Sequence, residues 1–305
     1  MKILTAYYDL AIGPVSFDFV VFLVKAEMAR KRAGADKLHM VIVPDPNGVD
    51  GMFRDKTHLY DGAEARWRLW NICIPACALL NASVTLATDW EQAGKLLAVG
   101  EFVYPSDWGN QTLKNRWHLV GDIISRNKSL GEDVPLLHAS PHATKKVAEF
   151  YRTARLPTVT MTLRSTYMGE RNSNRVQWMK ARDYIRERGF ATLLLEDVGT
   201  ALENGRGYGE LNLDLRMACY EQAALNLQSN NGTASLCWFG SAPYRMFDAG
   251  VGASAAEWDG LFVKQGLPLG ATWPWALSQQ KIVYKAATAD TIIEEFEAWA
   301  TATKL

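Results

Sequence analysis

Residues 157–196 read PTVTMTLRSTYMGERNSNRVQWMKARDYIRERGFATLLLE, and this stretch decides the fold. Thr158 to Leu163 (TVTMTL) alternates as a strand, Asn174 to Arg188 is a helix, and Phe190 to Leu195 (FATLLL) is a second strand that ends at Glu196-Asp197. Strand, helix and strand in that order make a βαβ unit, and such units cross over right-handed into a parallel sheet.

Towards the carboxyl terminus the pattern continues. A Gly-rich loop (Gly205-Arg206-Gly207-Tyr208-Gly209) leads to a helix from Leu213 to Gln222 and a strand at Ala224 to Leu227. Tyr244 to Phe247, a helix near Ala255 to Lys264, a strand at Ile282 to Tyr284 and a terminal helix from Asp290 to Thr301, capped by Thr288 or Asp290, complete this half.

Towards the amino terminus the same alternation is found. Ile3 to Tyr8 is a buried strand, Ser16 caps an apolar helix from about Phe17 to Arg32, and Lys37 to Pro44 (KLHMVIVP) is a second strand. A long helix near Ala63 to Leu80, strands at Ser83 to Ala87 and Phe102 to Tyr104, and a helix from Thr112 to Ser125 follow. The polar segment Lys128 to Pro135 is a boundary region, and Ala143 to Tyr151 is again helical. No repeat at a fixed period is present. The expected fold is therefore α/β, with two Rossmann-like domains facing a cleft, 1–150 and 151–305.

Bulk composition bounds the function. At 305 residues the chain suits two domains, and 48% hydrophobic with 22% charged residues marks a folded protein. Lysine plus arginine (33) equals aspartate plus glutamate (33), so no net field draws nucleic acid to it. Cys73, Cys77, Cys219 and Cys237 sit among apolar neighbours and read as reduced core thiols. The start Met1-Lys2-Ile3-Leu4-Thr5-Ala6-Tyr7-Tyr8-Asp9 becomes polar too early for a signal peptide, and no apolar run approaches the ~20 residues of a membrane span. The expected location is cytoplasmic, with no transmembrane segment, and peripheral membrane contact stays open.

Ligands of open parallel sheets bind beyond the carboxyl ends of the strands, so the loops there hold the candidates. Asn230-Asn231-Gly232-Thr233-Ala234-Ser235 combines a glycine for close backbone approach with Thr233 or Ser235 as a helix start whose N–H groups favour phosphate. A plain turn with an N-cap is the alternative. Arg164 to Asn174 offers Arg164, Arg171, side-chain hydroxyls and Asn174 as an N-cap, a set suited to a diphosphate; a surface ion pair is the plainer role of such arginines. Glu196 is placed to take a ribose hydroxyl or a base edge, or else is a solvated carboxylate. Asp9 and Asp18, near the first crossover, are the candidate general bases, although Asp18 also suits the first turn of its helix.

No His-Glu-x-x-His zincin motif, P-loop or Gly-x-Ser-x-Gly elbow occurs, so metal and serine-hydrolase chemistry lack support. Trp67, Trp70, Trp178, Trp273 and Trp275 are candidates for lining a sugar site, with a core or interface role as the plainer alternative.

With its two-half layout, the strand ending in Arg164, Arg171-Asn172-Ser173-Asn174, the turn Asn231-Gly232-Thr233 and a terminal helix after Gln279-Gln280-Lys281, the chain resembles GT-B-type glycosyltransferases, heptosyltransferase-like or fucosyltransferase-like. The resemblance implies a nucleotide-sugar donor held by the second domain, a glycan or lipid-linked acceptor on the first, a role in cell-surface polysaccharide synthesis, no cofactor and no metal. It implies that Arg164, Arg171, Asn231, Gly232 and Thr233 contact the diphosphate and that Asp9 or Asp18 is the base. The chain departs from the family in lacking Glu-x7-Glu and a clear Asp-x-Gly-x-x-His. A nucleotide-sugar epimerase, or a two-lobed protein closing on a small ligand, would share the architecture.

Overall fold

The structure, a computed structural model, describes residues 1–44, 62–98, 101–108, 119–165, 172–196, 212–249 and 262–304. It divides into two compact units, Met1–Ile123 with Glu132–Leu137, and Ile124–Gly131 with His138–Leu305.

In the first unit, β1 (Ile3–Asp9), β2 (Lys37–Val43), β3 (Ser83–Leu86) and β4 (Phe102–Tyr104) form a parallel sheet in the order β3-β2-β1-β4. The crossover helix α1 (Asp18–Arg32) buries eleven consecutive residues, Phe19 to Ala29, which is why it reads as apolar all round rather than as a stripe. Its Phe19 and Phe22 meet the Tyr8 ring edge-on at centroid distances of 4.8 and 5.1 Å. Gly13 is required beside that ring, because a Cβ there would lie 2.6 Å from Tyr8 Cζ.

The long helix after β2 is interrupted. It forms as α2 (Gly62–Arg68), a π-helical turn (Leu69–Cys73) and α3 (Ile74–Ala78). Helix α4 (Trp90–Ala98) has no counterpart in the sequence expectation, and α5 (Gly121–Leu130) begins later and runs further than the helix expected over Thr112 to Ser125. The first part of that expected helix lies outside the described residues.

In the second unit, α6 (Pro141–Ala154) starts at a Ser140 cap, whose Oγ accepts from Ala143 N at 3.2 Å. Then follow β5 (Thr158–Thr162), α7 (Arg175–Glu187), β6 (Ala191–Leu195), α8 (Leu213–Gln222), β7 (Leu225–Ser229), α9 (Ala234–Trp238), β8 (Tyr244–Phe247), β9 (Gln280–Ile282) and α10 (Ala289–Thr303). The strands are all parallel, in the order β6-β5-β7-β8-β9. One face carries the apolar core: Val159, Met161, Leu225 and Leu227 pack with Trp178 and Ile185 of α7 and Ile292, Phe296 and Trp299 of α10. The other face is buried yet polar. Thr160 Oγ1 donates to Asn226 Oδ1 at 2.5 Å, and Asn226 Nδ2 donates to the carbonyls of Tyr220 and Pro243 at 2.9 and 2.8 Å.

All four cysteines are buried free thiols. Burial pushes the Cys77 and Cys237 thiols up to about 12, which keeps them protonated and unreactive at neutral pH.

Candidate functional site

Where the chain order of a parallel sheet reverses, the loops after two neighbouring strands leave to opposite faces and open a crevice at their carboxyl ends. In the second sheet that reversal falls between β5 and β7; in the first it falls between β1 and β4. Both candidate regions stand at these points.

At the second sheet, Arg164 spans the gap. Its Nη1 donates to the Asn230 carbonyl at 2.7 Å, joining the loop after β5 to the loop after β7. Arg164 N donates to Ser173 Oγ at 2.8 Å, Ser173 N donates to the Arg164 carbonyl at 2.9 Å, and the Ser173 and Ser229 hydroxyls lie 2.5 Å apart. Asn230 N in turn donates to the Phe247 carbonyl at 3.0 Å, so the ends of β5, β7 and β8 are stitched together.

The turn after β7 owes its shape to Asn231. Its Oδ1 accepts from Thr233 Oγ1 at 2.9 Å and from Ala234 N at 3.2 Å, which caps α9. The cap expected of Thr233 or Ser235 is thus supplied by Asn231. Thr233 already has helical backbone angles (φ −67°, ψ −19°) and makes no cap bond, while Ser235 Oγ donates to the Gly232 carbonyl at 2.8 Å. Asn231 is 5% exposed, and its Nδ2 is a buried donor with no hydrogen-bond partner. Gly232 is the exposed residue of the turn.

Glu196 lies at the end of the edge strand β6 and is 6% exposed. Its carbonyl accepts from Arg216 Nη2 at 2.6 Å, and its carboxylate is 3.4 Å from the largely exposed Arg175. Arg216, 1% exposed within α8, also donates to Tyr220 Oη at 3.2 Å, and Tyr220 Oη lies 3.1 Å from Thr162 Oγ1. Asn174 is the N-cap of α7, its Oδ1 accepting from Gln177 N at 3.4 Å. Arg171, Asp197 and the Gly205 to Gly209 loop lie outside the described residues.

At the first sheet, Asp9 ends β1 and is 6% exposed; its Oδ1 accepts from Ala11 N at 2.9 Å in a tight turn of its own making. Asp18 opens α1, is half-buried, and accepts from Ser16 Oγ at 3.0 Å while its own N–H donates to that oxygen at 3.1 Å. The two carboxylates therefore differ in access: one is folded into its turn and the other stands at a helix start.

Within the second unit the tryptophans fall in two places. Trp178 is a core residue at 0% exposure, whereas Trp273 and Trp275 stack at 5.4 Å and Trp238 joins Trp273 at 5.1 Å. Among the described residues, no group of three or more His, Cys, Asp or Glu is placed to hold a metal ion, and no helix is long and apolar enough to cross a membrane.

Ser229, Arg216 and Asp248 are the residues that sequence reasoning passed over. Asp248 directly follows β8, so the same rule that singled out the other strand ends applies to it. Arg216 carried no such signal, because a lone arginine inside LDLRMACYEQ reads as a helix surface.

No protein-family model matches the chain, and no curated protein matches it significantly. Solved structures do. The structure of a glycosyl transferase family 9 protein from Veillonella parvula DSM 2008 is 13% identical, with a TM-score of 0.52 over 99% of this chain and 97% of that one. The structure of E. coli ADP-heptose LPS heptosyltransferase II is 10% identical, with a TM-score of 0.53 over the full length of both. At such identities the likeness establishes the fold, and it is the one the sequence resemblance implies: two Rossmann-like α/β domains, as in the GT-B glycosyltransferases.

Proposed function

We propose that this chain is a glycosyltransferase that moves a sugar from a nucleotide-diphosphate donor to a glycan or lipid-linked acceptor, in cell-surface polysaccharide synthesis and without a metal. The observation that carries this reading is the reversal point between β5 and β7, where Arg164, Asn230 and the buried donor Asn231 Nδ2 come together. A planar guanidinium and amide donors suit the oxygens of a diphosphate. The likeness to an ADP-heptose enzyme makes an ADP-linked sugar the first donor to test.

In the reaction, the acceptor hydroxyl oxygen attacks the anomeric carbon and the bond from that carbon to the diphosphate oxygen breaks. The diphosphate leaves with the electron pair, steadied by Arg164, Arg171 and the Asn231-Gly232-Thr233 turn. The hydroxyl proton passes to a carboxylate of the first domain. Asp18 suits that role better than Asp9, because it is accessible where Asp9 is buried in its own turn. Glu196 is assigned to the ribose or base of the donor, with its backbone held by Arg216.

The test is incubation with ADP-, UDP- and GDP-linked sugars, read as thermal stabilisation and nucleotide release; neither effect with any donor overturns the reading. Arg164→Ala is expected to weaken donor binding at least ~10-fold, the scale of one lost charge-assisted contact, whereas Arg182→Ala, a surface residue paired with Asp183, leaves it unchanged. Equal effects would place the donor elsewhere.

A further inference from the structure

Arg175 has no role in the function above, and its place in the fold is unusual in two ways. It opens α7 directly after the Asn174 cap, in a first turn that carries no acidic residue. A cation there faces the positive end of the helix dipole, which costs stability rather than adding it. Its Nη1 also donates to Glu196 Oε1 at 3.4 Å, a long ion pair whose partners differ in access: the arginine side chain is 57% exposed and the glutamate side chain 7%. With its cation in water, such a pair contributes little to stability.

The start of α7 is tied to the reversal point of the sheet. Ser173, two residues before Arg175, accepts Arg164 N at 2.8 Å, donates its own N–H to the Arg164 carbonyl at 2.9 Å, and meets the Ser229 hydroxyl at 2.5 Å. Arg164 in turn reaches the Asn230 carbonyl at 2.7 Å. Arg175 is thus rooted beside the ends of β5 and β7, to which the diphosphate is assigned, while its guanidinium rests on Glu196 at the end of β6, to which the ribose is assigned. A bound nucleotide offers that guanidinium a second anion. A phosphate is the better partner, because it carries more charge and accepts the planar fork in bidentate fashion.

We infer that Arg175 is a donor-binding residue that exchanges partners, leaving Glu196 for the diphosphate and so releasing the Glu196 carboxylate to the ribose hydroxyls. This rests on the donor reading above and deepens it. The exchange makes the two ends of the donor interdependent. A nucleoside without phosphates has to compete with Arg175 for Glu196, whereas a nucleoside diphosphate removes that competitor itself. The site therefore selects phosphorylated nucleosides by more than the phosphate contacts alone.

The experiment compares a nucleoside diphosphate with its nucleoside, using ADP and adenosine or UDP and uridine, on the full chain by calorimetric titration. Arg175→Ala is expected to weaken the diphosphate about 10-fold, the scale of a charge-assisted hydrogen bond, and to tighten the nucleoside about 3-fold, the scale of a lost exposed ion pair. In a Glu196→Gln background the nucleoside gain is expected to vanish, because it acts through the Glu196 charge. Glu196→Gln alone frees Arg175 and is expected to tighten inorganic pyrophosphate about 3-fold, which keeps the test open if Arg175→Ala does not fold. Diphosphate affinity unchanged in Arg175→Ala but lost in Arg164→Ala overturns the inference and leaves the donor reading standing. A nucleoside affinity that does not rise in Arg175→Ala, undetected binding included, marks an arginine that merely supports Glu196 and also overturns it, as does pyrophosphate that fails to tighten in Glu196→Gln. A wild-type protein that binds none of the diphosphates overturns both.

Discussion

The two faces of the second sheet are both buried, and they are held by different physics. Towards α7 and α10 the strands present Val159, Met161, Leu225 and Leu227 to Trp178, Phe296 and Trp299, a core of area and dispersion. Towards α8 they present Thr160, Thr162 and Asn226 to Tyr220 and Arg216, a hydrogen-bonded layer. An apolar face tolerates imperfect fit at a graded cost, whereas a polar face is stable only when its groups are paired. The polar face runs straight into the candidate site: Thr162 is two residues from Arg164, and Ser229 ends the strand that carries Asn226. Rigid hydrogen bonds beneath the loops fix side-chain directions that an oily layer would leave adjustable.

The largest effect that would test this contrast lies on the apolar face. Trp299, 2% exposed, meets Phe296 and Phe190 at centroid distances of 5.9 and 6.0 Å. Trp299→Ala should cost about 3–5 kcal/mol in chemical denaturation while leaving the affinity of the folded protein for a nucleoside diphosphate unchanged. On the polar face, Asn226→Ala should cost less, about 2–3 kcal/mol, because it strands the Thr160 hydroxyl and removes the side-chain bonds to the Tyr220 and Pro243 carbonyls without opening a large void. Unlike the tryptophan variant, it should also weaken diphosphate binding. If both variants lose only stability, the polar face has no bearing on the site.

The same contrast explains what was legible in the sequence. TVTMT was readable as a strand by its alternation, yet alternation is also what a half-exposed strand shows, and all five residues are buried. ATLLL, the more apolar strand, is the edge strand β6 and is mostly only half-buried. Composition reports how apolar a strand is, but its place in the sheet decides burial, and that place depends on partners far along the chain. Strand ends were legible for the same reason that strands were, which is how Arg164, Glu196 and Asn230 to Ser235 came into view. The internal wiring was not. The Asn174 cap of α7 was legible in the sequence, but which residue of the turn after β7 caps α9, and that Ser173 meets Ser229 across 56 residues, were not.

The smallest expected effect is the sharpest on the nature of the polar face. Thr158 belongs to the same alternating set as Thr160 and Thr162 and is 6% exposed, but its Oγ1 is buried without a hydrogen-bond partner. Thr160 and Thr162 each have one, in Asn226 and Tyr220. Threonine and valine are nearly the same shape, so exchanging them removes a hydroxyl and little else. If pairing is what makes this face stable, Thr158→Val removes only an unmet desolvation cost and should leave stability unchanged or raise it by up to ~1 kcal/mol. Thr160→Val strands the Asn226 oxygen and should lower stability by about 1 kcal/mol. Urea titration of the two variants side by side reads the difference directly. Equal destabilisation by both would mean that the face tolerates polar atoms for their packing alone, and the contrast with the apolar side would lose its basis.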